Sequence, residues 1–301
     1  MYRAKLSSDT PVADPAGDAF GFAGFAKNLA KAIRTTPSPD GLVMAINGPW
    51  GAGKTSLLNL VKHDLKTIHE EQCPVIVDFN PWWFNGRDQL ASQLLGAMAT
   101  RIRSEHPGLL KIGELLAEYS SAISKTVALS TGHPWLDVPV NWFLKRLKRA
   151  PKDVPKLKAE LAEMLRKGNV RVLVIVDDLD RLTPEEIREL FKVIKALADF
   201  PNVIYLLSFA KDIVAHALTT SLNVDGDAYM EKIVQAAFSL PAVDKSRLQR
   251  KLFEDLNTLV EALPMGAFDA TYWGNVYYDG LHHFISTPRD IVRITNVLAV
   301  T

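Results

Sequence analysis

The stretch Gly48-Pro49-Trp50-Gly51-Ala52-Gly53-Lys54-Thr55 constrains what this chain can fold into more than any other. It fits G-x-x-x-x-G-K-[ST], a loop whose backbone N–H groups converge on a phosphate tail. A polyanion needs many donors in a small volume, and only a sharply turned backbone supplies them. Glycine permits the dihedrals and the close approach. Lys54 adds a point charge suited to β- and γ-phosphates, and the Thr55 hydroxyl can ligate Mg²⁺. The following helix aims its first N–H donors at the anion. Such a loop needs a buried strand before it and a helix after it. Leu42 to Asn47 is a short apolar run, as a buried parallel strand should be. After the loop, Leu57, Leu58, Val61, Leu65 and Ile68 recur at helical spacing.

Arg171-Val172-Leu173-Val174-Ile175-Val176-Asp177-Asp178 is the second constraint. Its apolar run reads as a central strand buried on both faces, ending in two carboxylates. In a parallel nucleotide-binding sheet, ligands sit at the carboxyl ends of the strands. A carboxylate there can hold Mg²⁺ opposite Thr55, and a second can orient or polarise an attacking water. Adjacent carboxylates at a buried strand end are unfavourable without a cation. Thr183-Pro184-Glu185-Glu186 then reads as a helix start, with Thr183 the N-cap and Glu186 closing a capping box. Asn202 to Phe209 is the next buried strand. Its polar exit, Ser208 with Lys211 and Asp212, is where a sensor of phosphate or water would lie. Pro74 to Phe79 and Ala237 to Pro241 complete a five-stranded set.

Other stretches carry two readings each. Phe22, Phe25, Leu29 and Ile33 share one helical face and read as core, with an adenine-bordering role for Phe20-Gly21-Phe22 as the alternative. Trp82-Trp83-Phe84 at a strand end reads as a packing wedge, or as a partner surface. Lys145 to Lys152 is basic and proline-broken, and reads as a solvated helix end, since no aromatic interleaving or second basic patch accompanies it; the alternative is a contact with anionic lipid or nucleic acid. Ser286-Thr287-Pro288-Arg289-Asp290 starts a final helix. A cation in its first turn opposes the helix dipole, so Arg289 makes sense if it reaches an anion such as a nucleotide. The alternative is a surface pair with Asp290 or Glu231.

Composition narrows the function classes. The 301-residue chain is 48% hydrophobic and 23% charged, enough for one large domain or two smaller ones. A formal net charge of +1 offers no global electrostatic case for nucleic acid or a membrane surface. The single cysteine, Cys73, cannot make an internal disulfide, which fits a reducing, cytoplasmic compartment. Residues 1–17 are polar and contain prolines, with no signal-peptide core. The best membrane window, Thr126 to Leu144, contains His133, Pro134, Asp137 and Pro139, which a spanning helix disfavours.

Gly48 to Leu58, Phe79-Asn80-Pro81-Trp82, Asp177-Asp178-Leu179-Asp180-Arg181-Leu182 and Thr287-Pro288-Arg289-Asp290 together resemble the KAP family of P-loop NTPases. The resemblance spans about residues 18–299. The tryptophan inside the loop, the Asn-Pro-Trp after the second strand and the Asp-Arg extension of the double aspartate are jointly specific. The resemblance implies an α/β fold: an AAA+-like parallel five-stranded sheet sandwiched by helices, with a helical insert and a C-terminal helical lid. The expected boundaries are a lead-in at 1–17, a P-loop core at 18–243 holding the insert at 104–169, and the lid at 244–301. Many family members carry membrane helices in that insert; here it is short and not membrane-like. ATP is the implied nucleotide, held along Gly48, Pro49, Trp50, Gly51, Ala52, Gly53, Lys54, Thr55 and Ser56. Mg²⁺ falls to Thr55 and Asp177, and catalysis to Lys54, Asp178 and Arg289. Bacterial relatives are linked to phage exclusion, sometimes as the motor of a larger assembly.

The expected activity is therefore Mg-dependent ATP binding and hydrolysis that drives a switch or motor, in a homo-oligomer or larger assembly. An arginine from a neighbouring subunit could complete the site, with Arg181 and Arg188 as guesses. The alternative is a nucleotide-gated scaffold with negligible hydrolysis. A small-molecule kinase is a third reading, which the double aspartate and the long helical lid fit poorly.

Overall fold

A computed structural model of the protein describes residues 8–67, 73–83, 90–105, 109–131, 154–168, 171–261, 263–264 and 266–300. The chain forms two compact units, each assembled from several segments. Residues 32–47 and 68–238 make a sheet unit, and residues 1–31, 48–67 and 239–301 make the other.

The sheet holds β1 (Leu42–Asn47), β2 (Val75–Phe79), β3 (Val172–Val176), β4 (Val203–Phe209) and β5 (Ala236–Ser239), in the order β2-β3-β4-β1-β5. The pairings of β1 with β4, β4 with β3 and β3 with β2 are parallel. Every residue of β3 and β4 is buried. That is what an unbroken apolar run dictates, since helices must cover both faces of a parallel sheet. β5 is an edge strand and alternates half-buried with exposed residues. The expected last strand is present, at Ala236–Ser239 rather than Ala237 to Pro241, and its edge position leaves one side wet. Just before β5, Gln235 fixes the edge, its N–H donating to the Val43 carbonyl at 2.9 Å and its Oε1 accepting from the Val43 N–H at 2.7 Å.

The helices are α1 (Ala23–Thr35), α2 (Lys54–Lys66), α3 (Leu90–Glu105), α4 (Leu110–Thr131), α5 (Val154–Gly168), α6 (Pro184–Leu197), α7 (Lys211–Leu222), α8 (Gly226–Glu231), α9 (Lys245–Val260), α10 (Ala270–Asp279) and α11 (Pro288–Val300). One large core joins alternate residues of β1 to β4 with the apolar faces of α3 to α7. Ile112, Leu115, Leu116 and Tyr119 of α4 and Leu157, Leu161 and Leu165 of α5 belong to it. The described helices of the 104–169 region thus bury their apolar faces on the sheet core. Among the described residues, no helix is long and apolar enough to cross a membrane. The basic run at 145–152, Phe84 and most of the 126–144 window lie outside the described residues.

The second unit has its own core. Leu248, Leu252 and Leu256 of α9 meet Tyr277 of α10, Ile285 and Ile291 of α11, with Phe20 packed alongside. Its N-terminal segment is tied to α2. The Val12 N–H donates to Ser56 Oγ at 3.1 Å, and Asn59 Nδ2 donates to the Val12 carbonyl at 3.2 Å.

Candidate functional site

The loop at 48–55 has the backbone that a phosphate cradle requires. Gly51 and Gly53 both adopt the left-handed region, with φ 77° and 105°. A Cβ at Gly53 would stand 2.8 Å from Phe22 Cε2, and one at Gly51 would stand 2.9 Å from Arg289 Cβ. Phe22 is buried, so it packs under the loop as the core reading expects. Gly53 is the N-cap of α2, and no side chain caps that helix. The loop delivers the chain into the N-terminus of α2, the end of a helix that attracts anions. Lys54 Nζ turns back over the loop and donates to the Gly48 carbonyl at 2.9 Å and the Pro49 carbonyl at 3.4 Å. The ammonium therefore lies within the curl of its own loop. Ser56 Oγ accepts the Val12 N–H, and Thr55 follows Lys54 in the first turn of α2.

Arg289 belongs to the same unit. Its guanidinium carbon lies 5.8 Å from the Trp50 ring centroid, and its own N–H donates to the Gly51 carbonyl at 3.4 Å. Its Nε meets Asp9 Oδ2 at 2.5 Å. The charge in the first turn of α11 does reach an anion, though it is a carboxylate of the N-terminal segment. Asp290, offered by the sequence as a surface partner, is otherwise engaged. Its Oδ2 accepts from the N–H and the hydroxyl of both Ser286 and Thr287. Burial pushes the Asp290 carboxyl up, but these hydrogen bonds outweigh that and hold it below its ordinary value.

The double aspartate belongs to the sheet unit. In the register, Val176 pairs with Leu207, Ile46 with Ser208 and Asn47 with Phe209. The carboxyl ends of β1, β4 and β3 therefore lie side by side, with Asp177 the next residue after β3. Asn47 Oδ1 and Ser208 Oγ are buried there without a hydrogen-bond partner. Each such orphan costs about 1–3 kcal/mol; Ser208 shares a sheet face with Ile46, and Asn47 lies on the opposite face with Phe209. Asp177 Oδ1 accepts the Asp178 N–H at 2.9 Å. Asp178 itself is left-handed, at φ 60° and ψ 32°, and opens a 3-10 turn at Leu179–Arg181. Arg181 Nε approaches Asp178 Oδ1 at 2.8 Å, and Asn80 Nδ2 donates to Asp178 Oδ2 at 3.2 Å. The Arg181 guanidinium carbon lies 5.7 Å from the Trp82 ring centroid. Trp82 is 54% exposed, so for this residue the packing-wedge expectation is corrected: its face carries an arginine.

The two arginines named for donation across a subunit boundary each have a partner within this chain. Arg181 pairs with Asp178, and Arg188 pairs with Glu189 at 2.9 Å. Two contacts had no reading from the sequence. Asn80 and Trp82 sit in the Asn-Pro-Trp signature, but nothing in its spacing names Asp178 and Arg181 as their partners. Asp9 lies in a segment with no periodicity.

Residues 22–301 match the KAP family P-loop domain. The chain belongs to the KAP family. The Phage T7 exclusion protein of Escherichia coli (strain K12) is 29% identical to this KAP chain over 317 aligned residues, which take in 96% of the chain and 42% of that protein. The KAP chain thus spans about two fifths of the length of that relative. Solved structures similar to it include Aeropyrum pernix ORC1 in complex with DNA, at 12% identity and TM-score 0.47, covering 93% of this chain and 58% of that one. Another is Aeropyrum pernix ORC2, at 16% identity and TM-score 0.39, covering 95% and 61%. A third is domain III of the Thermotoga maritima replication initiation protein DnaA, at 14% and 0.38, covering 97% and 88%.

Proposed function

We propose that this KAP protein binds ATP at residues 48–56 and hydrolyses it, using the cycle as a conformational switch or motor. The loop carries the reading: two left-handed glycines, the N-terminus of α2 and the Lys54 ammonium curled over the loop suit a phosphate anion. The orphaned Ser208 oxygen at the exit of β4 suits a polar ligand at that end of the sheet. In this reading the backbone of Gly48, Pro49, Trp50, Gly51, Ala52 and Gly53 faces the phosphates, with Ser56 beside them. Thr55 and Asp177 would hold Mg²⁺, which takes few protein ligands when phosphates supply the rest. Bound there, the ion supplies charge neutralisation across the β- and γ-phosphate oxygens.

Asp178 accepts a hydrogen bond from the attacking water and orients its oxygen toward the γ-phosphorus. The new P–O bond forms as the bond to the bridging oxygen breaks, and ADP leaves with that electron pair. Lys54 and Arg289 compensate the phosphate charge. For Arg289 this means exchanging Asp9 for the nucleotide. Lys54→Ala is expected to abolish ATP binding by calorimetry. Asp178→Asn is expected to keep binding and lower phosphate release by about 10²–10⁴-fold. Turnover surviving in both variants would refute the site.

One observation favours a second reading. Both oxygens of Asp178 are engaged, as they would be in a nucleotide-gated scaffold that binds ATP without hydrolysing it. Single-turnover hydrolysis, with solution size measured in ADP and in a non-hydrolysable analogue, separates the two. A nucleotide-dependent change of assembly accompanied by turnover supports the motor. We further propose a role in restricting phage, on the strength of the exclusion-protein relative. Plaque counts on cells expressing the wild type against Lys54→Ala test it.

A further inference from the structure

Asp178 occupies a backbone region that non-glycine residues visit rarely. Such a conformation persists only where its surroundings over-determine it. Here they do so from several directions. The Asp178 carbonyl accepts the Arg181 N–H at 3.1 Å, and Asp177 Oδ1 accepts the Asp178 N–H. Asp180 Oδ2 accepts the Ala210 N–H at 3.1 Å, which ties the turn to the exit of β4. On the other side, Asn80 and Trp82 tie it to the exit of β2. The Trp82 N–H donates to Asn80 Oδ1 at 3.1 Å, which orients the Asn80 amide so that its Nδ2 faces Asp178.

The carboxylate is then fixed at both oxygens by different elements: Oδ2 by Asn80 after β2, and Oδ1 by Arg181 within its own turn. Arg181 is itself fixed by the face of Trp82. An arginine suits this place and a lysine does not. Its planar guanidinium can stack on a ring while its Nε donates in plane to a carboxylate. We infer that Arg181, held by Trp82, is a positioning residue for hydrolysis: it locks the rotamer of Asp178 and thereby sets where that carboxylate meets the attacking water. This rests on the assignment of Asp178 proposed above and adds to it the residue pair that aims it. The physical basis is that misplacing a reacting group by about 1 Å costs on the order of 10²-fold in rate.

The test is steady-state phosphate release and calorimetric ATP binding on the full chain. Arg181→Ala is expected to lower turnover about 10–10²-fold while leaving the ATP dissociation constant unchanged. Trp82→Ala is expected to fall in the same direction, and Trp82→Phe to retain more turnover than Trp82→Ala because it keeps a ring face. The deciding readout is Arg181→Ala on the Asp178→Asn background. If Arg181 acts through Asp178, it causes no further fall there. A further fall of the full single-mutant size would overturn the inference, as would Arg181→Ala turnover at or above wild type. If Arg181→Ala does not fold, the Trp82 pair decides, and equal turnover in Trp82→Ala and wild type overturns it. Turnover that survives Asp178→Asn would instead refute the base assignment, and this inference with it. Loss in Asp178→Asn with retention in Arg181→Ala refutes this inference alone.

Discussion

Gly53 shows how much one residue decides. Its φ of 105° lies where an L-side chain is strained, and the Phe22 ring leaves no room for a Cβ. Gly53→Ala is expected to destabilise the protein by about 1–2 kcal/mol from the left-handed backbone alone, and more if the ring must shift. Thermal unfolding measures that loss, and calorimetry should show weakened ATP binding with it. The glycine was legible in the sequence because a sharp loop demands it. Phe22 was legible only as one apolar residue in a helical stripe. That it lies under Gly53 depends on a tertiary contact no spacing encodes. The same holds for Arg289: its unfavourable place in a first turn signals an anion, but the identity of Asp9 as the carboxylate is a long-range fact.

At the scale of elements, helix starts were the most legible features, because capping is local chemistry. The capping box of α6 is present as the sequence expects, with Thr183 Oγ1 accepting the Glu186 N–H and the Glu186 carboxylate accepting the Thr183 N–H at 2.9 Å. At the start of α11, Thr287 precedes the first helical residue, and its N–H and hydroxyl both donate to Asp290 Oδ2. Asp290→Ala is expected to destabilise the fold by about 1 kcal/mol, the usual worth of a cap. Because the Asp290 carboxyl is held below its ordinary value in the fold, its contribution is complete above the unfolded pKa of about 3.9. It is lost as pH falls through the lower folded value. Wild type and Asp290→Ala should therefore differ in stability near neutrality and converge once the pH falls below the lowered folded value, which urea unfolding across pH would show. Tyr205 makes the complementary case in a strand. Its buried hydroxyl donates to the Leu197 carbonyl at 3.0 Å, and burial pushes its titration up. Tyr205→Phe is expected to cost about 1 kcal/mol, measured by the same unfolding: it removes the hydroxyl's bond, while the Leu197 carbonyl keeps the Phe200 N–H at 3.2 Å.

At the scale of the whole molecule, nucleotide binding is linked to folding. ATP at about 100 times its dissociation constant should add about 2.7 kcal/mol to stability. Asp178→Asn should keep that thermal shift and Lys54→Ala should lose it, since only the latter removes a phosphate contact. The loop and the double aspartate belong to different compact units of the chain. The sequence places them on either side of a long insert and implies one site only through chemistry. Within the sheet unit, β4 lies between β1 and β3 and the three run parallel, so their carboxyl ends share one end of the sheet.

Local rules settled much in advance. The phosphate loop, the strands, the helix starts and the acidic strand end follow from periodicity, capping and the dihedral freedom of glycine, all of which act within a few residues. The family follows from those same short signatures, and the match over residues 22–301 agrees with it. The tertiary structure alone decided which strand is an edge, and that the described helices of the insert pack on the core. It also decided that Arg181 and Asn80 share Asp178, and that Trp82 backs Arg181. Those outcomes depend on which distant segments the hydrophobic core brings together, and that is a property of the assembled sheet rather than of any stretch within it.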